Sequence, residues 1–242
     1  MTSSLLTELL DRNDDHVDSL DADTFAEYRS AQRPPVVSVC CSDSRVSQEG
    51  MWASDRPGFL FTAGNIGNRV SDVVDGERVL AGSVAYPLGH TDTSVLAVVG
   101  HTGCGAVGAA LDAVRTGEFP SEPGVRADVE ELVPVVERGL DDPTVAADDP
   151  SDAADAPETA PDPDVSVRNR LVEYNVHEQV AMARGTEDGA DADVYGFVYD
   201  FQGVYGDRDG AAYLVNANGE RDPAALRDLV GEERADHVET LL

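Results

Sequence analysis

The sequence predicts an α/β fold: a mostly parallel central β-sheet flanked by helices, with an N-terminal helical arm. Three observations lead there. Short β-branched apolar runs alternate with longer segments of helical period, the pattern of parallel strands and their crossovers. Two of those runs, 36–40 and 93–100, lead into compact polar clusters, CSDSR and HTGCG. Open α/β sheets carry their chemistry beyond the carboxyl ends of strands. Third, the opening segment MTSSLLTELLDRNDD mixes leucines with acids and lacks the basic start and long apolar middle of an export signal, so it reads as an acidic helix.

Taken in order, 21–32 (DADTFAEYRSAQ) predicts a helix opening at an Asp cap and stopped by Pro34 and Pro35. VVSVC (36–40) is a buried strand and GFLF (58–61) a weaker one. Over 71–89, Val74, Leu80, Val84 and Leu88 fit an amphipathic helix. TSVLAVVG (93–100) is the clearest strand. AVGAALDAVRTG follows as a helix with Gly117 as its stop, and 127–140 is another, kinked at Pro134. Residues 165–185 form a helix turning Val167, Leu171, Tyr174, Val176 and Val180 inward. Strands at 193–201 and 211–217 and a helical tail from Pro223 complete the chain as a single domain, 1–242. Within it, 141–164 carries nine acids and five prolines and no base or aromatic. Such a stretch cannot build a core and is expected to be a disordered acidic loop.

Composition narrows the partners. The formal net charge is -30, and all 17 basic residues are arginine. A surface of that sign repels nucleic acid and anionic membranes. No run approaches the 18 or so apolar residues of a membrane span. The acids are dispersed over most of the chain, which suits a halophilic, very salty cytosol where screening removes self-repulsion. Three cysteines make no disulfide framework, so a cytoplasmic protein with free or metal-bound thiols is expected.

The two clusters would meet if their strands were parallel neighbours. One thiolate from the first would then face His101 and Cys104 from the second. Two thiolates and an imidazole are suitable zinc ligands, and three protein ligands leave a fourth position for water. His-x-x-Cys lets both side chains turn to one ion around Gly103. Cys40 and Cys41, being adjacent, face opposite ways in an extended chain, and spacing alone allows either as the ligand. Asp43 and Arg45, two apart, are spaced to pair as an ionised carboxylate held by a guanidinium. Asp43 then has two roles open to it: accepting the proton of a zinc-bound hydroxide, or becoming a fourth ligand that closes the site.

CSDSRV at 41–46 and GHTGCGAV at 100–107 resemble the two signature segments of β-class carbonic anhydrases. Gln32, nine residues before Cys41, and Tyr86, fifteen before His101, match further family positions. The resemblance is strong over about 22–116 and looser over 165–217. It implies Zn2+ held by Cys41, His101 and Cys104, with Cys40 outside the site. It implies Asp43 and Arg45 as the catalytic pair, and reversible hydration of carbon dioxide to bicarbonate and a proton. Gln32, Tyr86 and Gly103 are implied substrate-binding positions. A homodimer or dimer of dimers is also implied, with the N-terminal helix embracing the partner. Phe61 stands where some members carry an arginine for a regulatory bicarbonate, so that anion site is not expected. Two other readings share the residues: hydrolysis of a related cumulene such as carbonyl sulfide, and a zinc-dependent structural module without turnover.

Overall fold

A computed structural model describes residues 2–54, 57–146 and 163–242. The elements run α1 (Thr2–Ser19), β1 (Val36–Cys41), α2 (Gln48–Met51), β2 (Leu60–Asn65), β3 (Ser71–Val74), β4 (Glu77–Leu80), α3 (Gly82–His90) and β5 (Val95–His101). They continue with α4 (Gly105–Thr116), α5 (Pro123–Asp141), α6 (Pro143–Ala146), α7 (Pro163–Arg184), β6 (Asp193–Asp200), β7 (Ala211–Ala217), α8 (Pro223–Val230) and a 3-10 turn at Glu232–His237. Five strands form one sheet in the order β2-β1-β5-β6-β7. All neighbouring pairs are parallel except β6 with β7. The mostly parallel sheet and the N-terminal helix are those expected from the sequence.

β1 lies between β2 and β5, so the chain leaves β1 to one side and returns on the other. That is the point at which an open α/β sheet leaves a crevice beyond its strand ends. Cys41 ends β1 and His101 ends β5. The parallel register sets Cys40 beside Val99, and the two polar clusters therefore emerge side by side.

One face of the sheet presents Val37, Val39, Cys41, Leu96 and Val98 to the main core, which includes Val107 and Leu111 of α4, Leu132 and Val136 of α5, and Leu171, Val176 and Val180 of α7. The other face carries Cys40, Val46, Ala97 and Val99 with Trp52 and Phe197 against them. Side chains alternate along each strand, which places the two adjacent cysteines on opposite faces. α7 approaches the sheet closely because β5 and β6 offer it glycines. A Cβ on Gly100 would stand 2.7 Å from a Val176 methyl, and one on Gly196 2.6 Å from the other. Val167, Leu171, Tyr174, Val176 and Val180 are all buried, as their spacing predicts.

Four expectations differ from the structure in whole or in part. Residues 22–28 form successive turns, not a helix. The stretch 71–89 is not one helix: β3 and β4 make an antiparallel hairpin, and only from Gly82 is the chain helical. Asp75 and Gly76 both adopt positive φ, 53° and 85°, the two-residue turn that matches strand twist. The weaker strand lies at Leu60–Asn65, two residues later than expected. The acidic stretch 141–164 is helical at both ends, in α6 and at the start of α7; residues 147–162 lie outside the described residues.

Candidate metal centre

Cys41, His101 and Cys104 are brought together as one buried group, with one ligand atom from each lying within 4.8 Å of the others. The two sulfurs are 3.9 Å apart. A tetrahedral ion with Zn–S bonds of about 2.3 Å sets two sulfurs roughly 3.8 Å apart, so the pair is already at ligand spacing. His101 Nδ1 lies 3.0 Å from the Thr102 carbonyl, which can only accept, so Nδ1 carries the proton. That leaves Nε2 deprotonated and facing the sulfurs' side of the site. It is buried with no hydrogen-bond partner. A buried acceptor left unsatisfied costs about 1–3 kcal/mol, and ligation to a cation is what removes that cost.

The thiols are not equivalent. The Cys41 thiol is lowered to about 5, foremost because Cys104 donates a hydrogen bond to it; burial opposes, and the Gly67 N–H adds to the lowering. Cys104 is raised well above its ordinary value by that same bond and by burial. It occupies the N-cap of α4, where the Ala106 and Val107 N–H groups pull the other way without prevailing. One proton is thus shared between two sulfurs, and a bound dication displaces it. Cys40 is fully buried on the opposite face. Its thiol is pushed up to about 12, chiefly by burial, and it lies outside the Cys41 group.

Asp43 and Arg45 form the expected pair. Arg45 Nε donates to Asp43 Oδ1 at 2.9 Å and Nη2 donates to Oδ2 at 2.6 Å, while the Arg45 backbone N–H also reaches Oδ1 at 2.9 Å. Those bonds hold the Asp43 carboxyl well below the usual carboxylate range. Asp43 Oδ2 is 3.7 Å from His101 Nε2, so the carboxylate borders the metal position while both its oxygens are engaged by Arg45. Phe201 underlies the arrangement. The Arg45 guanidinium lies 4.6 Å from its ring centroid and the His101 ring stacks on it at 5.8 Å. Sequence reasoning passed over Phe201; its place just after β6 at a strand end was the available signal.

Gly103 makes the turn between the two later ligands at φ 64°. Its N–H donates to Asn169 Oδ1 at 2.8 Å, and its carbonyl faces Arg45 Nη2 at 3.4 Å. Gln32 and Tyr86 are both exposed. Tyr86 contacts the rings of Phe61 and His90. Among the described hydrogen bonds and ring contacts, neither residue meets the Cys41 group within the one chain.

Fold and site together define an α/β metalloprotein with a Cys-His-Cys centre and an adjoining Asp–Arg pair. The carbonic anhydrase family model matches residues 36–203, and the chain belongs to that family, in its β class. A carbonic anhydrase of Mycolicibacterium smegmatis is 34% identical over 114 residues, which is 47% of this chain and 52% of the relative. The chain spans about half the length of the curated relatives it matches. Among solved structures, the β-carbonic anhydrase CcaA superposes with a TM-score of 0.66 at 20% identity, covering 89% of this chain and 88% of that one. A tetrameric β-carbonic anhydrase of the filamentous ascomycete Sordaria macrospora gives 0.59 at 18% identity, covering 82% and 91%. β-Carbonic anhydrases use zinc, and among the described residues Cys41, His101 and Cys104 form a group able to hold it.

Proposed function

We propose that this protein catalyses the reversible hydration of carbon dioxide to bicarbonate and a proton, with zinc on Cys41, His101 and Cys104. The observation that carries the reading is the Asp43–Arg45 pair set 3.7 Å from the imidazole of a three-ligand centre. A structural zinc calls for four protein ligands, and a carboxylate fixed by a guanidinium beside three ligands is an arrangement for chemistry. Bound there, zinc supplies Lewis acidity that makes hydroxide available near neutral pH.

The chain's own residues do the rest. Asp43 is ionised and accepts only, so it would take the hydrogen bond of a hydroxide supplied at that centre and orient it toward carbon. Its proton affinity is too low for it to carry the proton away, so the proton leaves to solvent. Arg45, half exposed on the mouth of the site, keeps Asp43 from swinging inward as a fourth ligand. The Phe201 ring beneath Arg45 and His101 excludes water from one side.

The site is completed in an oligomer, a homodimer or a dimer of dimers, in which Gln32 and Tyr86 bind substrate across an interface. What supports this is the exposure of both residues and the uncovered Leu5, Leu6, Leu9 and Leu10 on α1. Gly103 shapes the pocket through its backbone turn. We place the protein as a single domain in the cytoplasm of a halophile, with its buried free thiols and dispersed acids as support. Stopped-flow hydration of carbon dioxide in molar salt at pH 8.5 tests the activity. Turnover abolished in Cys104→Ser and in Asp43→Ala, with zinc retained in the latter, is the expected result; zinc-loaded protein without turnover sinks the proposal.

A further inference from the structure

α7 holds the ligand loops from behind, and it does so with buried amides. Asn175 is 1% exposed. Its Nδ2 donates to the Gly67 carbonyl at 3.2 Å and to Asn68 Oδ1 at 3.1 Å. Its Oδ1 accepts from Gln179 Nε2 at 3.0 Å. Gln179 Oε1 in turn accepts the Val70 N–H at 3.0 Å. Residues 67–70 are therefore tied to α7 at three points.

What that segment carries is the Gly67 N–H, which donates to Cys41 Sγ at 3.5 Å. The segment does not hold this conformation cheaply. Gly67 has φ +86°, and a Cβ there would lie 2.5 Å from Leu132. Asn68 follows with φ 46°, in a region that side chains rarely adopt. Buried amides are costly unless each is bonded, and here those bonds converge on the loop behind one thiolate. An N–H···S bond draws density from the sulfur and fixes the direction of its lone pairs, as partners behind a metal ligand do.

We propose that Asn175, backed by Gln179, is a positioning residue of the metal centre: it holds the Gly67 N–H on the Cys41 thiolate and so tunes that ligand. This rests on reading Cys41 as a ligand. The experiment uses the full chain loaded with Co2+, reading the thiolate-to-cobalt charge-transfer band and the rate of cobalt release to a chelator. In Asn175→Ala the band is expected at lower energy, because the sulfur loses its N–H donor, and release about 10- to 100-fold faster, because the ligand is no longer held in orientation. Asn175→Asp keeps an acceptor for Gln179 but loses the donor to Gly67, and should move the band the same way. Leu171→Ala serves as the control. It removes a buried side chain of the same helix on the side facing Gly139 of α5, and should leave the band in place. A folded Asn175→Ala protein with unchanged band and release overturns the proposal, as does an equal shift in Leu171→Ala. If Asn175→Ala does not fold by circular dichroism, Gln179→Ala, one bond further out, is read by the same criteria. A wild-type chain that takes up no cobalt overturns the ligand reading itself, and this inference with it.

Discussion

Both carboxylate oxygens of Asp43 are taken by the Nε and Nη2 of Arg45, at 2.9 and 2.6 Å. This fork geometry is matched by a guanidinium and not by an ammonium. It holds Asp43 Oδ2 3.7 Å from His101 Nε2, at the border of the Cys41 group. The alternative left open by spacing, a fourth protein ligand, requires breaking that pair.

Asp43→Asn preserves the shape of the side chain and removes its charge. Turnover of carbon dioxide is expected to fall on the order of 10²-fold, the loss typical of a preorganised electrostatic contact. Zinc content by atomic absorption should stay at the wild-type level. Loss of zinc in this variant would make Asp43 part of the metal's coordination.

The two adjacent cysteines should behave oppositely. Cys41→Ala is expected to lose stoichiometric zinc, because it removes a ligand. Cys40→Ala should keep zinc and lose roughly 1 kcal/mol of stability for a small core truncation, since Cys40 packs with Val46, Ala97 and Val99. Metal analysis and urea unfolding of the pair decide this.

Tyr205 provides a pH test remote from the metal. Its hydroxyl donates to Glu173 Oε2 at 2.7 Å, and burial first, then the Glu173 charge, push it well above its ordinary value. A raised folded pKa means stability is fully present below the unfolded phenol value of about 10 and is lost as pH rises beyond it. Tyr205→Phe should be about 1–3 kcal/mol less stable at neutral pH, because Glu173 loses a donor. Its urea midpoint should then fall less steeply than wild type above a pH of about 10. Parallel alkaline limbs would assign the loss to other groups.

With a net charge of -30, the folded state repels itself, and salt should relieve this. The screening length shrinks from about 8 Å at 0.15 M to 3 Å at 1 M. The melting temperature is expected to climb with potassium chloride, by about 2–4 °C for each kcal/mol of repulsion removed in a chain of this size. A melting curve indifferent to salt would refute the halophilic reading.

Where local pattern and burial agreed, the fold was legible. β1 and β5 are apolar runs buried on both faces, and α7 turns inward the residues its period marks. Where two patterns competed, reading failed. Val74, Leu80, Val84 and Leu88 satisfy a helical period, yet Asp75–Gly76 between Val73-Val74 and Glu77-Arg78-Val79 is a hairpin signal, and the turn prevailed. The segment 21–32 has a helix cap and then little core to bind, and it forms only turns over 22–28.

By itself the sequence determined the ligand types, their placement at two strand ends, and the Asp–Arg spacing, because each depends on residues close in the chain. Only the tertiary structure decided which cysteine faces His101, that His101 offers Nε2, and that Asp43 is bound to Arg45. It also revealed Phe201 beneath the pair and the Asn175 and Gln179 amides behind Cys41. These depend on distant segments meeting: β1 beside β5, and α7 seated on glycines of β5 and β6. A helix enclosed on nearly all sides buries its polar residues too, and no local period marks which of them face the site.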